Sequence, residues 1–117
     1  MKTISIKRIY EHAENDDGYR ILIDKLWPRG IKKENAALDE WLKIIAPTDA
    51  LRKWFAHKPE LFIEFEKKYK EELKQHSDEL KRIKQIATKQ NVTLLYAAKD
   101  TAHNNAVVLY HVLNNMK

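Results

Sequence analysis

The sequence predicts an α/β fold: one small three-layer domain over residues 1–117, with a short, mainly parallel sheet flanked by helices. Three observations predict it. Val92-Thr93-Leu94-Leu95-Tyr96-Ala97-Ala98 is almost unbroken apolar sequence, as a central parallel strand covered on both faces requires. Stretches with apolar residues three and four apart alternate with short β-like runs. One such run, Ile21-Leu22-Ile23, leads into Asp24-Lys25-Leu26-Trp27-Pro28-Arg29-Gly30. A strand ending in a rigid, charged turn is how α/β domains hold a polar ligand beyond their strand ends. A small sheet of about three strands is expected, with Val92–Ala98 at its centre.

Thr3 to Ile9 reads as the first strand, alternating through Ile4, Ile6 and Arg8. Arg8, at its C-terminal end, is either a guanidinium snorkelling at the core edge or a ligand contact. Glu11 to Gly18 is a polar connection, compact for a link between parallel strands. Tyr19 to Leu26 is the second strand, with Arg20, Leu22 and Asp24 on one face and Tyr19, Ile21 and Ile23 on the other. Pro28, lacking an N–H, stops its ladder. Leu38, Trp41, Leu42 and Ile45 predict a helix over Lys32–Ala46. Thr48 is placed to cap a short helix, Asp49–His57, and Pro59 to open the next. Phe62, Phe65, Tyr69 and Leu73 form the inner stripe of Glu60–Gln75; Leu80, Ile83 and Ala87 form that of Asp78–Gln90, with Ser77 as cap. The charges between these stripes read as a solvated face. The last helix, Asn104–Asn115, turns Ala106, Leu109, Tyr110 and Leu113 inward.

Composition narrows the function. With 44% hydrophobic and 33% charged residues the chain is too apolar for a disordered protein. The absence of cysteine removes thiolate nucleophiles and zinc ribbons and fits a reducing compartment. No signal peptide or membrane-spanning run is read, so a cytoplasmic protein without a membrane partner is expected. The net charge of +5 is spread evenly: 12 Lys and Arg face 9 Asp and Glu in residues 1–58, and 10 face 8 in residues 59–117. Such a balance attracts polyanions weakly without marking a nucleic-acid footprint. Neither standard phosphate loop, no serine elbow and no zinc-binding histidine spacing occurs, so no metal ligands are assigned.

Chemistry-bearing residues gather at two predicted strand ends. Asp24 and Arg29 follow the second strand; Lys99, Asp100 and His103 follow the third. If these strands are parallel neighbours, the groups converge on one crevice. Arg52 and His57, on the short helix, are placed to close over it. Trp27 and Trp54 are either core indoles or stacking walls, whereas Trp41 is expected in the core. Asp100 and Asn104 are candidate helix caps as well as candidate ligand contacts.

The three separated motifs, Asp24–Gly30, Ala46–His57 and Leu94–Asn104, closely resemble those of the YeaO-like proteins, within the domain of unknown function 488 group. The resemblance covers essentially the whole chain. It implies an α/β fold and bacterial-type cytoplasmic proteins, with no cofactor or reaction class attached. Some relatives carry cysteine and Cys-His-Arg where this chain has Tyr96 and His103-Asn104-Asn105, so thiol chemistry does not carry over.

Three readings follow. The first is a binding module for a phosphate-bearing small molecule or nucleic acid, contacted by Arg8, Trp27, Arg29, Arg52, Trp54, His57, Lys99 and Asn104. The second is an enzyme using Asp24, Asp100 and His103 for acid–base chemistry on an anionic small molecule. The third is a structural or protein-docking domain. A bland alternative to both site readings pairs Asp24 with Arg29 and Asp100 with Lys99.

Overall fold

The computed structural model describes residues 2–116. Four parallel strands form one sheet: β1 (Ile4–Arg8), β2 (Tyr19–Leu22), β3 (Glu40–Trp41) and β4 (Val92–Tyr96), in the order β1-β4-β2-β3. β4 is central and all five of its residues are buried, as its apolar run requires. β1 and β2 are both parallel to β4 and are separated by it, so the compact link between them steps across one strand.

Strand alternation divides the core. Ile4 of β1, Ile21 of β2, and Val92 and Leu94 of β4 face one side with Ile23 and Tyr96. There they meet α2 (Asp49–Phe55), α3 (Phe62–Leu73), α4 (Ser77–Ile86) and α5 (Asn105–Asn114). Phe55 stacks on Phe65 with centroids 4.3 Å apart, and fully buried Tyr69 donates to the Ile45 carbonyl at 2.7 Å. The other side is thinner. Ile9, Leu22, Ala36 and Leu95 are covered by Trp27, Ile31, Leu38 and Trp41 and by the single turn α1 (Lys33–Ala36).

Gly18 and Arg20 fix the start of β2. Gly18 adopts φ 65°, and a Cβ there would lie 2.1 Å from the Asn91 carbonyl oxygen. Arg20, buried, donates to Asp17 and to the carbonyls of Ala36 and Ala37, tying α1 down on the sheet. Asp17 also accepts from Lys7 at 2.9 Å. Burial opposes ionisation of Asp17, but the Glu14 N–H, Lys7 and Arg20 outweigh it and hold this carboxyl below its ordinary value.

Several boundaries differ from expectation. The sheet has four strands, not three, because Lys32–Ala46 is not one helix. α1 stops where Ala37 enters the left-handed region at φ 52°; β3 then pairs with β2, and a 3-10 turn covers Lys43–Ile45. The open edge of β2 supplies the reason: Asp39 donates to the Arg20 carbonyl and accepts from the Arg20 N–H, both at 2.9 Å. These bonds satisfy backbone groups that a helix would leave bare. β2 ends at Leu22 rather than Leu26, since Asp24 turns its side chain to the neighbouring strand end. β4 ends at Tyr96, where the Arg8 guanidinium takes the next two carbonyls. Ser77 is the first residue of α4 and makes no capping bond, whereas Thr48 caps α2 by accepting from Leu51. Among the described residues no helix is long and apolar enough to cross a membrane.

Candidate functional site

Parallel strands leave their C-terminal ends on one rim, and here three ends are bound together. Ile9 donates to the Tyr96 carbonyl and Ile23 to the Leu95 carbonyl, at 2.8 and 3.1 Å. Arg8 reaches across from β1, with Nε 2.9 Å from the Ala98 carbonyl and Nη2 3.3 Å from that of Ala97. Its guanidinium also lies 4.9 Å from the Tyr10 ring centroid. Arg8 is therefore a strap between strand ends.

Beyond this rim lies a cavity of ≈ 680 Å³. That volume falls within the range of small-molecule sites. Asp24, Asn105, Ala97 and Ala98 make its strand-end floor. Tyr10, Leu26, Trp27 and Pro28 contribute apolar wall, with Ala46 and Pro47 before α2. Lys25, Arg29, His57, Lys99 and Asp100 bring charge or titratable groups to the same lining.

Asp24 is the most constrained of these. One carboxyl oxygen accepts from the Ala97 N–H at 2.9 Å and the other from the Asn105 amide at 3.0 Å. The same amide donates to the Ile23 carbonyl at 3.3 Å, and Trp41 Nε1 donates to the Asp24 carbonyl at 2.7 Å. Burial pushes the Asp24 carboxyl above its ordinary value, against the opposing pull of Asn105, Ala97 and a charge on His57. Among the described residues no cation forms an ion pair with it. The postulated Asp24–Arg29 and Asp100–Lys99 pairs do not form within the described residues either; Lys25 pairs instead with Asp49, at 3.3 Å.

The turn carrying the charges is rigid for local reasons. Trp27 Nε1 donates to the Ile31 carbonyl at 2.7 Å, closing the loop over buried Pro28. Trp27 meets Trp41 edge to face at 5.2 Å. Gly30 takes φ 78° with open space around it. Tyr10 donates to the Arg29 carbonyl at 2.9 Å, joining the first loop to the second. His57 comes from the exit of α2, where Ala56 and His57 are both left-handed, at φ 47° and 58°.

Of the residues singled out in the sequence, Asp24, Trp27, Arg29, His57, Lys99 and Asp100 line this cavity. Arg8, Arg52, Trp54, His103 and Asn104 are not part of its lining. Arg52 turns back along α2 to Asp49 at 3.3 Å. Trp54 is exposed, with Lys68 5.2 Å from its ring centroid. His103 Nδ1 binds Asp100 at 2.9 Å while its ring packs edge-on against Phe62. Asn104 caps α5 by accepting from Val107 and donates to the Asp100 carbonyl. Asp100 itself accepts from the N–H groups of Ala102 and His103; the Ala102 bond leads in holding its carboxyl below the ordinary value. His103 thus stands outside the lining, in contact with Asp100, and His57 is the imidazole that lines the cavity with Asp24.

Sequence reasoning passed over Asn105, Tyr10 and Lys25. Asn105 lies one residue into the predicted helix Asn104–Asn115, where nothing in the sequence marks it. Only the placement of Ile23 beside the helix reveals that its amide holds the Asp24 carboxylate. Among the described residues no group of three or more potential metal ligands occurs.

Fold and cavity define an α/β protein with a mixed apolar and charged site at the C-terminal ends of a parallel sheet. Residues 3–116 match the family described as the inactive DUF488-N3 subclade, and the chain belongs to that family. It is 51% identical over 113 residues to the uncharacterized protein YeaO of Escherichia coli K12, covering 97% of this chain and 98% of that one. It is 38% identical over 111 residues to the uncharacterized protein Rv3073c of Mycobacterium tuberculosis H37Rv, covering 95% and 93%. No solved structure matches the chain with significance.

Proposed function

We propose that this protein binds a small phosphate-bearing ligand in the strand-end cavity. The carrying observation is the pairing of an apolar wall, Leu26, Trp27, Pro28 and Pro47, with Lys25, Arg29 and Lys99 around one ligand-sized space. An apolar or ring-shaped body suits the wall, and a phosphate suits cations that are strongly hydrated when empty but gain charge-assisted hydrogen bonds when filled. A cavity of this kind favours a discrete ligand over a long polynucleotide, which is read by an extended basic track. The family's description as an inactive subclade favours binding over turnover.

Thermal-shift measurements with nucleoside monophosphates and sugar phosphates test this. A ligand that binds only the folded state raises stability by about 2.7 kcal/mol at a hundred times its dissociation constant. The shift should shrink in Arg29→Ala and Lys99→Ala. If no phosphate-bearing compound shifts the melt, or if those variants respond like the parent, the reading fails. Binding to single-stranded DNA that weakens steeply with salt would move the assignment to a polynucleotide.

A further inference from the structure

Resting on that reading, we infer that the cavity is polarised and takes an amino-bearing nucleoside monophosphate in one orientation: base amino group on the Asp24 floor, phosphate at the Lys25, Arg29 and Lys99 rim.

The Asp24 carboxylate gives the floor an acceptor with lone pairs to spare. A carboxylate has about four lone-pair sites, and protein donors occupy two of those on Asp24. Neighbouring donors are already committed. The Ala97 N–H points at Asp24, both hydrogens of the Asn105 amide serve Ile23 and Asp24, and Trp41 Nε1 serves the Asp24 carbonyl. A phosphate brought to this floor meets a carboxylate and finds no free N–H in that set. An amino group there completes the hydrogen bonding of a partly buried acceptor that has no ion-pair partner among the described residues.

The rim is the opposite. Arg29 and Lys99 are exposed and form no ion pair within the described residues, and Lys25 shares only Asp49. Leu26, Trp27 and Pro28 give the same cavity an apolar wall, the natural neighbour of a planar base. The half-buried acceptor and the exposed cations thus differ in depth within one lining, and the amino group and the phosphate are assigned to them accordingly.

Two pairs of probes differ by a single amino group: adenosine monophosphate against purine riboside monophosphate, and guanosine monophosphate against inosine monophosphate. Calorimetric titration of the parent chain should give at least tenfold tighter binding to the amino member of one pair, because its loss leaves the floor acceptor unmatched. Adenosine or guanosine without phosphate should bind more weakly than the monophosphate. Asp24→Asn should erase the amino preference while retaining affinity for the des-amino nucleotide. Equal binding within both pairs, or a preference that survives Asp24→Asn, overturns the orientation and leaves phosphate binding intact. Nucleosides binding as well as their monophosphates would sink the rim assignment and the phosphate reading with it, whereas failure of all four nucleotides to bind overturns the nucleotide assignment and leaves the phosphate reading to the sugar-phosphate melts. The paired comparison needs no variant, so a poorly folding Asp24→Asn does not blunt it.

Discussion

Two glycines show how a single residue's constraint depends on what surrounds it. Both have positive φ, but only Gly18 presses against another backbone: a Cβ there meets the Asn91 carbonyl oxygen at 2.1 Å, while nothing lies within 4 Å of one on Gly30. Asn91 cannot yield easily, since its carbonyl accepts the Tyr19 N–H at 2.8 Å at the start of the β2–β4 ladder. Gly18→Ala should cost about 3 kcal/mol or more, strain and overlap together. Gly30→Ala should cost about 1 kcal/mol from backbone strain alone. Urea melts of the two variants check this; equal losses would show that the Asn91 contact is not what demands glycine at position 18. Asp17 makes a second residue-scale case. It lies between Lys7 and Arg20, and Asp17→Asn leaves largely buried Arg20 without a carboxylate and Lys7 with only Glu14. The expected loss is about 3 kcal/mol, typical of breaking a buried pair on one side. A variant as stable as the parent would show that the Ala36 and Ala37 carbonyls suffice for Arg20.

At the level of elements, α2 is a short helix held by its ends. Thr48 caps it, and Glu72 of α3 accepts from both the Thr48 N–H and hydroxyl, at 3.0 and 2.7 Å. Its exit uses alanine where glycine is the usual left-handed cap: Ala56 has φ 47° and donates to the Arg52 carbonyl at 3.0 Å. Ala56→Gly should stabilise the protein by about 1 kcal/mol, as relief of left-handed strain exceeds the entropy cost in the unfolded chain. A lower melting temperature for this variant would contradict the argument. This capping was legible, because Thr48 and Pro47 mark a helix start chemically. So was the central strand, since a strand covered on both sides suits Val92–Tyr96 as an almost unbroken apolar run. β3 was not legible. Leu38, Trp41, Leu42 and Ile45 have helical spacing, yet Leu38 and Trp41 cover one face of the sheet while Leu42 and Ile45 lie in the core of the other. A short segment crossing the sheet edge gives the same spacing as a helix, and the deciding force, the unpaired edge of β2, belongs to a distant part of the chain. The same limit applies at the site: the sequence marks strand ends as places, but which way Arg52 or His103 turns depends on neighbours such as Asp49 and Phe62.

Across the whole molecule, the buried and half-buried carboxylates pull stability in opposite directions with pH. Asp17 and Glu40 are held below their ordinary values, Asp17 by the bonds that outweigh its burial and Glu40 chiefly by Arg82, which joins β3 to α4. Their contribution is complete above the ordinary carboxylate range and is lost as pH falls through their depressed values. Stability to urea should therefore drop as pH falls below about 4. Asp17→Asn, weaker at pH 7, should show a shallower drop; parallel curves would remove Asp17 from the cause. Asp24 acts with the reverse sign. Burial raises its value, so the folded state binds its proton more tightly than the unfolded chain, and ionising it lowers stability as pH rises through that raised value. Asp24→Asn abolishes this loss, although its amide faces the Asn105 amide and gives up one hydrogen bond at every pH. The variant's stability relative to the parent should thus improve as pH rises through the ordinary carboxylate range and on to the raised value of Asp24, whatever its absolute value. A difference that stays flat, or moves in the parent's favour, would mean that the cavity solvates this carboxylate well. The improving trend would instead identify Asp24 as a charge retained at a cost to folding, which is the mark of a residue kept for what it binds.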